Sequence, residues 1–188
     1  MVITPPQATL ADLENTPDDG RRYEIIDSRI VVSDSPGWEH QKVSGRILRH
    51  LDAWVEQRGP GQVVPGPVAI VLDQANVVLP DIVYASNANL RNIREGRYYG
   101  TLDIVVEVVS PTSKDHDTAT KMFLYARAGM TEYWLVDPAT RTIQILALVD
   151  GIYIPQKAND QGHCASVTLP GLVIEPDSIF GKAASDDV

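Results

Sequence analysis

The chain has 188 residues, 44% hydrophobic and 22% charged, the balance of an ordinary globular domain large enough to bury a core without disulfides or metal staples. Its 16 basic and 25 acidic residues leave a net charge of −9, so an overall basic footprint for nucleic acid is absent, although a local basic stripe or bound divalent cations can invert the field at one face. The single cysteine, Cys164, excludes an intrachain disulfide and a thiolate metal site; with no signal-peptide pattern at the start and no apolar run of membrane-spanning length, the expectation is a soluble, cytoplasmic protein.

Along the chain, Thr9 is suited to cap a short helix through Leu10 and Leu13, ended by the Pro17-Asp18-Asp19-Gly20 cluster. Residues 23–26 and 29–32 are β-prone runs around Asp27-Ser28 and predict a hairpin, with Glu24 sharing a face with Ile26 and so directed inward. Ser28 is an awkward residue for a type I′ turn, which leaves the turn type open. From Gly37 the pattern is helical: His40, Val43, Ile47, Leu51 and Trp54 share a stripe, and Gly59-Pro60-Gly61 ends the longest helix. Residues 63–64 and 67–72 are extended apolar runs, and a turn over 73–76 leads into a strand over 77–84 interrupted by Pro80, with Asp81 directly after it. Residues 86–100 are the most polar internal stretch and read as a helix–loop crossover or a flap. If helical, their Arg91, Arg94 and Arg97 make one basic strip able to contact phosphates.

Residues 104–109, Ile-Val-Val-Glu-Val-Val, predict a strand covered on both faces. Glu107 sits in its middle, where an ionised carboxylate is costly unless a cation, a paired base or several donors compensate it. Ser110-Pro111 ends the strand. Lys121, Leu124, Tyr125 and Ala128 then form one stripe of a helix closed by Gly129, and Lys121 is the only charge on that stripe. Residues 132–136 and 142–148 predict a hairpin, and the tail holds runs at 151–155, 165–169 and 171–180. A single domain over 1–188 follows, with 1–8 and 182–188 as frayed ends.

Glu24, Asp81, Glu107 and Lys121 are the residues that could carry chemistry. Carboxylates converging on a hard cation such as magnesium supply its oxygen ligands, and a lysine beside them can orient water or stabilise a phosphoryl transition state. Without the cation the acids repel one another. His40 and Tyr125 are secondary candidates for support of that cluster, and Arg91, Arg94 and Arg97 for substrate contact. Each has a plainer reading: Asp81 as a cap beside its proline, Glu107 and Lys121 as a buried structural pair, His40 and Tyr125 as core, the arginines as a solvated face.

The run Pro80-Asp81-Ile82-Val83, then IVVEVVSPTS, Lys121 followed by Tyr125 and Gly129, and EYWLVDP at 132–138 resemble the Uma-two family, read as endonucleases of the PD-(D/E)XK superfamily. YEIID at 23–27, His40-Gln41 and the closing LPGLVIEPDSIF extend the resemblance over nearly the whole chain. It implies an α/β, restriction-endonuclease-like core with a mixed central β-sheet flanked by helices and additional N-terminal and C-terminal strands. It also implies Asp81 and Glu107 as ligands of magnesium or manganese, the Val108 carbonyl as a third ligand, and Glu24 as a further ligand or partner of the attacking water. The superfamily lysine would stand two residues after the second acid, which here is Val109; the resemblance moves it to Lys121. The expected function is a metal-dependent endonuclease acting on DNA, with RNA or nucleotides as other substrates, in a homodimer away from membranes. The competing expectation is a non-catalytic interaction or scaffold protein on the same fold.

Overall fold

The computed structural model describes residues 7–59, 61–110 and 116–182, without the side chains of 116–118. Pro60, Pro111, the His116 side chain and most of the expected frayed ends therefore lie outside the described residues. Of those ends, Ala8 is tied in, its N–H donating to the Ser28 carbonyl at 2.9 Å.

Local signals account for most elements. Thr9 caps α1 (Leu10–Glu14) in a capping box with Asp12. The hairpin of β1 (Arg22–Ile26) and β2 (Arg29–Ser33) turns through Asp27 and Ser28, both at positive φ (47° and 60°), as a type I′ turn requires. Tertiary bonds hold Ser28 in that unfavourable conformation: its N–H donates to the Ala75 carbonyl at 2.9 Å, and the Asp27 N–H to Asn76 Oδ1 at 3.0 Å. Helix α2 (Trp38–Arg58) buries His40, Val43, Ile47, Leu51 and Val55 along one stripe and ends at Gly59 in the left-handed conformation.

The strand expected over 77–84 is two strands in different sheets. After β3 (Gly61–Pro65) and β4 (Ile70–Asp73), β5 (Asn76–Val78) pairs with β4, whereas β6 (Ile82–Ser86) pairs with β3. Pro80 has no N–H to continue a ladder, so the chain changes sheets there. Residues 86–100 are not helical beyond a single 3₁₀ turn, Leu90–Asn92. Glu95 and Gly96, both at positive φ, fold β7 (Ile93–Arg94) onto β8 (Arg97–Tyr99) instead, so the expected basic strip does not form.

After β9 (Ile104–Val108) come a π-helical turn (His116–Lys121), α3 (Met122–Ala128), β10 (Glu132–Asp137), β11 (Thr142–Val149), β12 (Ile152–Pro155), β13 (Cys164–Ala165), β14 (Val173–Ile174) and α4 (Pro176–Phe180). Two mixed sheets of six strands result, β12-β11-β10-β9-β6-β3 and β2-β1-β5-β4-β8-β7, with β13 and β14 as a separate pair. The expected α/β fold with a mixed sheet flanked by helices is present, its strands divided between two such sheets. In the first sheet only β9 and β10 run parallel; in the second only β4 and β8 do.

Alternation along β9 divides the core. Ile104, Val106 and Val108 pack with Trp134 against Val43, Ile47 and Leu51 of α2. Val105 shares the other face with Tyr133, and there the first sheet meets Ile70, Val78 and Tyr98 of the second and Tyr125 of α3. Glu107, two residues from Val105, points to this second face. Among the described residues no helix is long and apolar enough to cross a membrane.

Candidate active site

Where the two sheets meet, side chains from five elements and from the connection that leads into β6 converge. Alternation puts Arg22 and Glu24 on one face of β1. Asp81 leads into β6, Glu107 lies on β9, Lys121 ends the π-helical turn, Tyr125 lies on α3 and His40 on the first turn of α2. Glu24, His40, Asp81, Glu107 and Lys121 are all buried, at 2–7% exposure. Buried charges at this density are sustainable only if they compensate one another.

Asp81 Oδ2 accepts the Val108 N–H at 2.8 Å and stands 3.0 Å from His40 Nε2. Its Oδ1, buried and without an aligned hydrogen bond, lies 2.7 Å from Arg22 Nη2. Burial alone would raise the Asp81 carboxyl; His40, the Arg22 charge and the Val108 N–H outweigh it and hold it below the usual aspartate range. Burial would likewise lower the Arg22 guanidinium, but the charges of Asp81, Glu107 and Glu24 keep it above its ordinary value.

Lys121 Nζ bridges the glutamates, 3.1 Å from Glu107 Oε1 and 3.0 Å from Glu24 Oε1. Tyr125 OH donates to Glu107 Oε1 at 2.6 Å, and the Leu79 N–H to Glu24 Oε1 at 2.6 Å. Burial, then the nearby Glu107 and Glu24 charges, push the Tyr125 phenol well above its ordinary range, so it serves as a donor and not as an anion. Between Arg22, Glu24, His40, Asp81, Glu107 and Lys121 lies a cavity of about 30 Å³, room for one or two water molecules.

Backbone packing sets Asp81 in place. The Gly66 N–H donates to the Asp81 carbonyl at 2.7 Å. A Cβ on Gly66 would lie 2.1 Å from the Pro80 carbonyl oxygen, so only glycine lets the β3–β4 connection lie this close.

A family model described as "Uma2: Putative restriction endonuclease" matches residues 9–177. The chain belongs to the Uma2 family. Among solved structures it is similar to a protein from Anabaena variabilis described as "a putative nuclease belonging to DUF820", with a TM-score of 0.75 and 15% identity over 92% of this chain and 97% of that one. At that identity the likeness speaks for the fold. No curated protein matches the sequence.

In this Uma2 chain the four principal sequence candidates, Glu24, Asp81, Glu107 and Lys121, come together with His40 and Tyr125 in one cluster. Val108 contributes its N–H to Asp81 and lines the same cavity. Arg91, Arg94 and Arg97 do not join them. Arg91 lies in the 3₁₀ turn, and Arg94 and Arg97 lie on the β7–β8 hairpin at the far end of the second sheet from β2; Arg97 pairs with Glu14, Arg94 stacks over the Tyr99 ring at 5.9 Å, and none of the three lines the cavity.

Two charges, the half-buried Arg22 and the buried Glu132, escaped the sequence reading. Arg22 had a signal, since it stands two residues before Glu24 and must share its face of β1. Glu132, fully buried at the start of β10, had none: its carboxylate is met by Trp134 Nε1 from the same strand and by Ser166 and the N–H groups of Val167 and Thr168.

Proposed function

We propose that this chain is a metal-dependent endonuclease that hydrolyses phosphodiester bonds in DNA. The observation that carries the reading is the convergence of three buried carboxylates on Lys121 and Arg22 around a water-sized cavity at the meeting of two sheets. Structural acids need no such cavity, and a nuclease fold supplies the context.

The donor set fits a hard divalent ion in kind. Asp81, Glu107 and the Val108 carbonyl are oxygen donors, and Asp81 Oδ1 is a buried oxygen that lacks an aligned hydrogen bond. Among the described residues no group of three His, Cys, Asp or Glu side chains is arranged to hold a metal, and the Arg22 guanidinium lies against the Asp81 oxygen an ion would use. Ion and guanidinium therefore compete for Oδ1. A bound magnesium or manganese ion would supply Lewis-acid neutralisation of a phosphoryl oxygen.

The remaining work falls to the side chains. In hydrolysis a bond forms from water oxygen to phosphorus as the ester P–O bond breaks, and the water loses a proton while the leaving oxygen gains one. Glu24, next to Lys121, receives the proton from the attacking water, and Lys121 Nζ orients that water or meets charge growing on the phosphate. His40 and the Val108 N–H fix Asp81 Oδ2, and the Tyr125 hydroxyl fixes Glu107 Oε1.

The scaffold reading draws on one observation: Arg22 and Lys121 already balance much of the acidic charge. Calorimetric titration with magnesium and manganese, paired with cleavage of supercoiled and linear DNA, separates the two. The nuclease reading expects binding heat that disappears in Asp81→Ala and cleavage that disappears in Glu107→Ala. Neither heat nor cleavage at millimolar metal would leave the scaffold reading standing.

A further inference from the structure

Beside the carboxylate cavity lies a larger groove of about 750 Å³, within the range of roughly 300–1,000 Å³ that holds nucleotide-sized ligands. One wall is the first turn of α2 with Trp38 and His40. The other is the end of β9 at Val109 and Ser110 and the Pro138-Ala139 turn after β10. The groove thus sits at the carboxyl ends of the parallel strands β9 and β10, where open α/β sheets receive their ligands.

Three observations specify its occupant. Trp38 is 84% exposed, whereas Trp134 is fully buried, so packing gives no reason for a large apolar ring at this position. His40 and Ser110 line both the groove and the carboxylate cavity, so the two spaces adjoin. Among the described residues the walls carry no lysine or arginine, and the two acids on the rim are engaged locally: Glu39 with Lys42 at 2.6 Å, Asp137 with the N–H groups of Ala139 and Thr140 at 2.8 and 3.2 Å. The exposed Trp38 indole offers a flat aromatic surface to an uncharged ring.

We propose that this groove binds an unstacked nucleobase of the strand being cut, its face against Trp38 and its neighbouring phosphate at the mouth of the carboxylate cavity. The proposal rests on the nuclease reading and names the form of its substrate. A base inside a duplex is covered on both faces, so the groove takes single-stranded DNA, a strand end or a base turned out of the helix. Every base has a π-face, so Trp38 accepts bases without reading sequence.

The test uses the full chain in EDTA, titrated with a short oligothymidylate and with an abasic strand of equal length, followed by tryptophan fluorescence and by anisotropy of labelled strands. Oligothymidylate should quench the exposed emission saturably, and the abasic strand should bind more weakly without quenching. Trp38→Ala should weaken oligothymidylate binding about 5- to 140-fold, the fold-change equivalent of the ~1–3 kcal/mol that stacking one base contributes. Trp38→Phe should recover most of it. Because Trp38 is so exposed, both variants should melt as the wild type does.

Equal binding of the abasic strand, or wild-type affinity in Trp38→Ala, overturns the proposal. Cleavage with magnesium or manganese, run in parallel, keeps the two readings apart. Cleavage that persists with unchanged KM in Trp38→Ala removes the groove and leaves the hydrolytic reading. Base-dependent quenching without cleavage under any divalent cation leaves the groove and removes the hydrolytic reading.

Discussion

Glu107 on β9 and Glu132 on β10 are buried acids on neighbouring parallel strands, yet they are compensated by different materials. Glu132 gathers neutral dipoles: Trp134 Nε1 at 2.5 Å, Ser166 Oγ at 3.1 Å, and the Val167 and Thr168 N–H groups at 3.0 and 2.8 Å. Glu107 meets an amine and a phenol, Lys121 Nζ at 3.1 Å and Tyr125 OH at 2.6 Å, beside a cavity able to hold water. Strand register explains the division. Ile104 pairs with Glu132 and Glu107 with Leu135, so the two side chains leave their sheet on opposite faces. Fixed neutral donors hold one carboxylate in a single arrangement, whereas an amine on a long side chain and an adjoining cavity leave the other able to exchange partners.

The sharpest way to break this contrast is to neutralise each acid in turn. Glu107→Gln should lower DNA cleavage by about 10²–10³-fold or more, with a thermal midpoint close to that of the wild type. An unchanged nicking rate of supercoiled DNA would put both acids in the same structural class. Glu132→Ala strands its donors in the core and should cost roughly 3–5 kcal/mol, a fall of about 10 °C in the midpoint for a chain of this size. Cleavage per folded molecule should persist, and its loss at a temperature where the fold is intact would contradict the assignment.

Smaller effects sharpen the comparison around Asp81. In Gly66→Ala the new methyl meets the Pro80 carbonyl, with a cost of about 1–3 kcal/mol. Because Gly66 also bonds the Asp81 carbonyl, metal affinity should fall as well, which calorimetry would register. Arg22→Ala frees the Asp81 oxygen and should tighten divalent-ion binding about tenfold, ~1.4 kcal/mol. Weaker or unaltered binding in that variant would show that the guanidinium and the ion do not compete.

What the sequence disclosed depended on how local its cause was. The β-branched run around Glu107, the Thr9 capping box and the solitary Lys121 on an apolar stripe are readable because period and neighbours decide them. Pro80 was visible as an interruption, but its division of one run between two sheets depends on pairings with β3 and β4 that no local pattern records. The spacing of Arg91, Arg94 and Arg97 suits a helix, yet the Glu95-Gly96 turn prevailed and dispersed them between a 3₁₀ turn and a hairpin. Glu132 was illegible because most of its donors lie more than thirty residues away, in a stretch with no periodic signature. The cluster of Glu24, Asp81, Glu107 and Lys121 was legible residue by residue; the face of Arg22 was legible from its spacing to Glu24, but its pairing with Asp81 depends on how β1 is placed beside the Pro80-Asp81 crossing.

The crossing at Pro80 carries a last implication. Arg22 and Glu24 belong to one sheet and Glu107 to the other, with Asp81 on the strip of chain that joins them. The ensemble therefore works as a clasp between layers. Gentle heating that lets the layers slip will scatter these groups before either ladder of backbone bonds melts, so enzymatic competence should vanish ahead of the far-ultraviolet signal. The interval between those two temperatures measures how firmly the layers are fastened.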